Sequence, residues 1–428
     1  MSTVSSSPND RSQSGVRAET SRPSRSTTGP AEGPGGSAEE SRRQYTVGII
    51  GGGQLARMMH QAAIRLGIRT RLLATSPDES AAQVMGDVVI GSHLNRQAVM
   101  DFARDCDVVT FDHEHVPTEF LRELEQAGVA VRPGPEALVH AQDKAVMRQR
   151  AAEDGVPCPA WEVCGGPESM VAFGERVGWP VIAKTSRGGY DGKGVWKVEG
   201  PDDVAEPFEA MGGLADGQQP IRILAEEYVD FTRELSAIVV RSPSGQAVAY
   251  PVSESVQKDG ICTETITPAP GMSAQRAAEI QRMALEIAGR LGVVGVLAVE
   301  LMERADGEVV VNELAMRPHN TGHWTIDGAV TSQFENHIRA VLDLPLGDPS
   351  LRAPVVVMAN VLGGSETDLT GALQHCFARD RGLHVELYGK QVRPGRKVGH
   401  VTCVGADVEE VRRRARHAAG YLMGDRNA

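Results

Sequence analysis

The sequence predicts an α/β protein of two or three domains, and three segments carry that expectation. Tyr45-Thr-Val-Gly-Ile-Ile is a short apolar run of strand character, followed at once by Gly51-Gly-Gly-Gln-Leu-Ala-Arg and an amphipathic stretch. A strand, a glycine turn and a helix in that order open a Rossmann-like βαβ unit. Trp179-Pro-Val-Ile-Ala-Lys and Val195-Trp-Lys-Val read as two further strands, joined by a loop with four glycines in the seven positions from Gly188 to Gly194. From Val299 to Thr325, two apolar runs flank Asp306-Gly307, a hairpin turn dipeptide. The second run leads directly into Arg317, His319, Asn320 and His323.

The first 44 residues stand apart. They are Ser, Pro, Gly, Arg and Glu with almost no large apolar side chains, too little to offset the entropy of folding, so a disordered extension is expected. They lack the apolar stretch of a signal peptide, and Glu19, Glu32, Glu39 and Glu40 argue against a transit peptide. The whole chain of 428 residues is 41% hydrophobic and 23% charged, ordinary for a globular protein. A net charge of -12 excludes broad affinity for nucleic acid or an anionic membrane, so an anionic substrate must be held by local basic residues. No apolar run reaches the roughly 18 residues of a membrane span. Six scattered cysteines with no Cys-x-x-Cys suggest free thiols and a cytoplasmic protein.

Gly51, Gly53 and Ala56 fit the G-x-G-x-x-A turn of a dinucleotide site, but the second strand ends Leu72-Leu-Ala-Thr, with no acid at its tip for a ribose hydroxyl. The turn and helix start could serve another anion instead. A third strand, Val108-Val-Thr-Phe, enters Asp112-His-Glu-His-Val-Pro; His113 and His115 could ligate a metal, although Pro117 favours a substrate-facing loop. A charged helix from about Ala137 to Glu153 carries Lys144. The Gly188 to Gly194 loop joins strand to strand and lacks the Walker order, which suits a lid whose backbone approaches phosphates. In Ile221 to Val229, strand-edge backbone groups could read adenine, with a nearby carboxylate for ribose.

The hairpin carries the sharpest chemistry. A symmetric two-residue turn sets Glu300 opposite Glu313 on one face of the sheet, whereas a three-residue loop breaks that pairing. Opposed carboxylates repel, and a hard divalent cation compensates them: Mg²⁺, with Mn²⁺ as an alternative, commonly accompanied by phosphate.

In chain order these elements resemble the ATP-grasp superfamily, and within it the 5-(carboxyamino)imidazole ribonucleotide synthases, the ATP-dependent carboxylases of purine biosynthesis. The resemblance rests on Gly51-Gly-Gly-Gln-Leu, Gly188-Gly-Tyr-Asp-Gly-Lys-Gly, Arg233-Glu-Leu-Ser, Asn312-Glu-Leu-Ala and Arg317-Pro-His-Asn-Thr-Gly-His-Trp-Thr. Leu387-Tyr-Gly-Lys and Arg393-Pro-Gly-Arg-Lys-Val-Gly-His extend it, from about residue 46 to 403. It implies an ATP-grasp fold: a Rossmann-like pre-ATP-grasp domain over 45–140, an ATP-grasp domain over 141–345 with its lid at about 156–228, and a small β-rich domain over 346–428. The implied reaction uses ATP to activate bicarbonate as carboxyphosphate and carboxylates the exocyclic amine of 5-aminoimidazole ribonucleotide, and the implied assembly is a homodimer.

Carried over residue by residue, Lys144 and Lys184 bind ATP phosphates beneath the loop of Gly188, Gly189, Tyr190, Asp191, Gly192, Lys193 and Gly194. Glu226, Glu227, Tyr228 and Val229 hold adenine, Glu234 holds ribose, and Gln257 stands where the family often has an ATP-contacting histidine. Glu300 and Glu313 ligate Mg²⁺ with Asn312 beside them. Arg317 and His319 position bicarbonate and carboxyphosphate, and Tyr190 and Asp191 lie near the substrate amine. Lys390, Arg393, Arg396 and Lys397 form a clamp for the nucleotide phosphate, joined by Gln54, with Asn320 also on the substrate side; Lys390 is placed among the catalytic groups. Gln257 and Ala74 are departures from the family pattern, and neither touches the acid pair. Rival readings are another ATP-grasp carboxylate–amine ligase, such as a formate-dependent glycinamide ribonucleotide transformylase, a nucleotide-binding regulator without turnover, and a Rossmann oxidoreductase, which fails at Ala74.

Overall fold

The computed structural model describes residues 44–188, 194–211, 215–216, 219–220 and 222–426. Residues 1–43 of the expected disordered extension and five loop residues, Gly189, Tyr190, Asp191, Gly192 and Lys193, lie outside the described residues.

The amino-terminal sheet has five parallel strands in the order Val88–Ile90, Arg69–Ala74, Thr46–Ile50, Val108–Phe111 and Ala130–Val131. Its central strands are continuous apolar runs because both faces are covered. Helix Gln54–Arg65 follows the glycine turn and buries Leu55, Ala56, Met58, Met59, Ala62 and Ala63. Those side chains share a core with Phe334, Ile338 and Val341 of helix Gln333–Val341, which fuses this sheet to the middle of the chain.

A second sheet is antiparallel, ordered Trp161–Cys164, Ile223–Glu227, Val181–Thr185, Val195–Val198. Helix Pro167–Val177 covers it through Met170 and Phe173. The glycine loop is therefore the connection between the last two strands of this small sheet.

The third and largest sheet has nine strands. Phe231–Arg241 pairs with Gly295–Arg304, which pairs with Val309–Ala315. On the other side, the sheet continues through Ser253–Lys258 and Ile261–Thr267 into Val355–Leu362, Lys397–Gly405 and His384–Leu387. The last eighty residues thus extend the central sheet, and helices Leu369–Arg379 and Val408–Met423 cover one face of that extension. Hydrogen-bonded continuity ties the carboxy-terminal strands to the acid-bearing hairpin through the three strands that lie between them.

The hairpin departs from the expected turn and keeps the expected pair. Arg304 N donates to Glu308 O at 2.8 Å, and Gly307 takes φ +84°, so the loop holds three residues, Ala305 to Gly307. That loop pairs Leu301 with Val311, one residue out of the symmetric register. A bulge then follows at Asn312, and Glu300 lands opposite Glu313. Two irregularities of one residue each cancel.

Candidate active site

The three sheets surround a cleft of about 840 Å³. Its floor is built by the bulge. Because Asn312 is the extra residue, it and Glu313 both reach the cleft, where Glu300 also opens. Burial, then the facing Glu313 charge, raises the Glu300 carboxyl well above the ordinary range. A carboxylate pair so disfavoured in its ionised form suits a hard cation, with the remaining ligands drawn from phosphate and water. Glu234, also in the cleft, is pushed up to about 7 by burial, against the attraction of Lys184.

The cationic side rests on buried partners. Lys184 Nζ bonds Asn312 Oδ1 at 3.0 Å and Glu226 at 2.7 Å. Glu226 is 2% exposed and also takes Arg148 Nε at 2.6 Å, while Arg148 donates to the carbonyls of Val311 and Asn312 at 2.9 and 2.8 Å. Arg148 therefore pins the bulge. Against the burial of Glu226, which raises its pKa, Lys184 and Arg148 hold the carboxyl down to about 2. Lys144 opens helix Lys144–Asp154, a position where the helix dipole disfavours a cation. Asp143 caps that helix and pairs with Arg187 at 3.0 Å, and Lys144 Nζ lies 3.8 Å from Glu313.

Of the adenine residues, Glu226 and Glu227 have committed side chains: Glu226 as above, and Glu227 to Arg304 at 2.6 Å. Any nucleobase contact there falls to backbone, as a strand edge allows. Val229 is buried with Met302 and Val310, and Tyr228 is exposed with Lys197 over its ring. Gln257 lines the cleft and donates to Ser255 at 3.5 Å. Gly188 and Gly194 line the same cleft.

Arg317, His319, Asn320 and Lys397 also line it. His319 is half-buried in the cleft wall, and burial, then Arg317 and Lys397, lowers its pKa well below the usual histidine value. His319 Nδ1 lies 2.8 Å from Thr321 Oγ1 and accepts from Thr321 N at 3.4 Å, an arrangement that suits a proton on Nε2, 3.2 Å from Glu300 Oε1. His319 is thus a neutral hydrogen-bond donor and brings no charge. Arg317 Nε pairs with Glu114 Oε2 at 2.7 Å.

The clamp is assembled only in part. Lys390 bonds the Gln54 side chain across two domains. Arg393 and Arg396 are exposed, hold the Gln391 side chain and carbonyl respectively, and are absent from the cleft lining. The idea that the first helix N-terminus awaits an anion is corrected: Asp112 already fills it, accepting Gly53 N at 3.0 Å and Ala56 N at 2.9 Å. A Cβ on Gly53 would lie 2.2 Å from that carboxylate, so the glycine turn serves the cap. His113 and His115 face the cleft, and His113 is driven down to about 3 by burial, then His93 and His115. Among the described residues, no group of three or more His, Cys, Asp or Glu side chains is arranged to hold a metal. Asp112, Glu114, Asp143 and Arg148 are the functional neighbours that sequence reading missed. Only Asp143-Lys144, a cap followed by a misplaced lysine, carried a local signal.

Comparison with known proteins decides the family. Residues 44–142 match the ribonucleotide synthetase preATP-grasp domain, 149–334 the ATP-grasp domain, and 356–414 the phosphoribosylaminoimidazole carboxylase C-terminal domain. The N5-carboxyaminoimidazole ribonucleotide synthase of Mycobacterium tuberculosis is 54% identical over 384 residues, 89% of this chain and 88% of that protein. The chain belongs to the N5-carboxyaminoimidazole ribonucleotide synthase family. The Corynebacterium ammoniagenes member is 47% identical, covering 88% of this chain and 92% of its own length. The synthetase structure from Thermus thermophilus superposes with a TM-score of 0.78 at 36% identity, over 89% of this chain and 99% of that one. An Aspergillus clavatus synthase, solved with ADP and 5-aminoimidazole ribonucleotide, gives 0.79 at 31% identity over 89% and 98%. Family membership extends across all three sheets, including the strands that carry Lys397 and the segment that carries Lys390.

Proposed function

We propose that this chain is an ATP-dependent ligase that carboxylates the exocyclic amine of 5-aminoimidazole ribonucleotide with bicarbonate, in purine biosynthesis. The observation that carries the reading is the bulged hairpin, which presents Glu300, Asn312 and Glu313 to the cleft opposite Lys144 and beside Lys184. Glu300 and Glu313 are the residues to hold Mg²⁺, or Mn²⁺. When bound, that ion neutralises charge on the phosphate oxygens of the nucleotide.

Bicarbonate oxygen attacks the γ-phosphorus, the bond to the β-phosphate oxygen breaks, and ADP leaves. Lys144 and Lys184 hold the phosphates and offset the developing negative charge. Arg317 holds the carboxyl oxygens by charge, and neutral His319 offers them a hydrogen bond through Nε2 without any proton being transferred. The amine nitrogen then attacks the carboxyl carbon of carboxyphosphate; the carbon–oxygen bond to phosphorus breaks, and the departing phosphate takes the amine proton. Carboxyphosphate hydrolyses in open water, so a closing glycine loop, with Tyr190 and Asp191 near the amine, fits the need to exclude solvent. Lys390, with Gln54 and Lys397, receives the substrate's phosphate, while Arg393 and Arg396 must turn inward to join them. A cytoplasmic homodimer fits the family reading. No helix among the described residues is long and apolar enough to cross a membrane.

The test is ATP cleavage by purified protein with Mg²⁺, with and without bicarbonate and 5-aminoimidazole ribonucleotide, trapping the labile carboxylated product at once. Phosphate release that requires the nucleotide and matches carboxylated product supports the reading. Cleavage that requires formate or another carboxylate instead replaces it with a different ATP-grasp ligase.

A further inference from the structure

The Asp112-His-Glu-His segment is the sequence motif that the reaction leaves unused, and its middle acid sits in an odd place. A cleft proposed to gather ATP, bicarbonate and two metal-binding carboxylates gains nothing electrostatically from another carboxylate. Yet Glu114, half-buried, stands at the edge of that cleft with both oxygens engaged on one short stretch of chain. Oε2 takes Arg317 Nε at 2.7 Å, and Oε1 takes Met316 N at 3.3 Å. The segment itself is fastened from behind. Gln142 Nε2 donates to the carbonyls of Glu114 and Val116 at 2.9 and 2.8 Å, and Thr118 Oγ1 donates to Gln142 Oε1 at 2.7 Å. Gln142 directly precedes Asp143 and Lys144, so one short stretch anchors both the phosphate lysine and the carboxylate that grips Arg317.

Asp112, Glu313 and Glu300 are further carboxylates whose charge reaches Arg317. Asp112 is engaged as a helix cap. Glu313 is the acid proposed for the metal, and an arginine resting on it would neutralise the charge the metal needs. We propose that Glu114 is a positioning residue for the carboxylation reaction: it holds Arg317 by its Nε edge, aims the rest of the guanidinium at the bicarbonate site, and keeps Arg317 off Glu313. This rests on the ligase reading above. The wild-type assay checks that reading separately, and the metal measurement below does not depend on which acceptor is carboxylated.

The experiment compares wild type, Glu114→Gln, Arg317→Lys and the double variant. It measures kcat and KM for ATP and bicarbonate, Mn²⁺ affinity in the presence of ADP by electron paramagnetic resonance, and the melting temperature. The Glu114→Gln side chain retains the shape but offers only a neutral acceptor, so Arg317 is released toward Glu313. The expected result is a fall in kcat of about tenfold to a hundredfold with KM for ATP little changed, as when an outer partner of a site residue is lost. Mn²⁺ affinity also falls, and the double variant is no worse than Arg317→Lys alone. Wild-type kcat and Mn²⁺ affinity in Glu114→Gln overturn the proposal, as do fully additive losses in the double variant. If Glu114→Gln does not fold, Glu114→Asp decides. It keeps the charge but withdraws it by about 1.5 Å, one bond length; reduced kcat supports the aiming role, and wild-type kcat overturns it.

Discussion

Glu300 and Glu313 face each other across the hairpin only because a three-residue turn and a bulge at Asn312 offset one another. The bulge also delivers Asn312 to Lys184 at 3.0 Å, so one backbone irregularity sets both the acid pair and the lysine beside it. A regular ladder with the same turn would send Glu313 to the opposite face from Glu300. The pair is therefore a built feature of the sheet, and it stores repulsion.

That repulsion gives the first prediction. Glu300→Gln relieves the facing charges and should stabilise the metal-free protein by about 0.2–1 kcal/mol in urea unfolding, while abolishing turnover. The raised folded-state pKa of Glu300 means the unfolded chain releases this proton first, so wild-type stability falls as pH rises from the ordinary carboxyl range up to the raised value. The advantage of the variant should accordingly grow over that window and then level off. An equal or larger stability of wild type at pH 8 would contradict the repulsion.

Glu313→Gln should still bind ATP and 5-aminoimidazole ribonucleotide but lose phosphoryl transfer by about a hundredfold or more. Calorimetric binding of each ligand, set beside phosphate release, separates the two effects. Full activity would remove Glu313 from the metal site.

Glu226 illustrates the opposite linkage. Its carboxyl is lowered to about 2 by Lys184 and Arg148 against the cost of burial. A depressed folded-state value means the stabilisation is fully present above the ordinary carboxyl pKa and is lost as pH falls toward 2. Glu226→Gln leaves Arg148 buried without its counter-charge and should cost about 3–5 kcal/mol. The deficit, read by urea unfolding, should shrink as the pH drops below 4.

Lys390→Ala should raise KM for 5-aminoimidazole ribonucleotide and leave ATP affinity unchanged, because Lys390 bonds Gln54, a residue of the cleft lining proposed to meet the ribonucleotide phosphate. Unchanged kinetics toward the ribonucleotide would remove Lys390 from the clamp.

The sequence exposed those parts of the site whose chemistry is local. The Asn312-Glu313 string and Arg317-Pro-His319 are each contiguous, and the structure brings Asn312, Glu313, Arg317 and His319 to one cleft, with Gly188 and Gly194 at its lining. The facing of Glu300 and Glu313 is expected from a two-residue turn that the structure does not have, and it is reached only through a three-residue loop and a bulge, whose carbonyls at Val311 and Asn312 are held by Arg148 from a distant helix. Arg148 itself read as one charge among many on a helix. Glu114 and Asp112 were misjudged for the same reason: their partners, Arg317 and the Gly53 turn, lie 203 and 59 residues away. His319 was placed by its string beside bicarbonate and carboxyphosphate, but the burial, then the Arg317 and Lys397 charges, that lower its pKa depend on the fold.

Asp112 supplies the last prediction. A glycine turn opening a helix ordinarily leaves backbone N–H groups for a ligand phosphate, and here Asp112 satisfies those of Gly53 and Ala56. Asp112→Ala removes a cap and should cost about 0.5–2 kcal/mol in stability. It should also loosen the start of helix Gln54–Arg65, and with it the Gln54 side chain that meets Lys390. The kinetic penalty should then appear in KM for the ribonucleotide, with ATP affinity unaffected, and Asp112→Asn should recover part of both losses because its amide oxygen can still accept one of the N–H groups. An Asp112→Ala protein that binds the ribonucleotide as tightly as wild type would show that the cap stabilises the first domain without setting the substrate site.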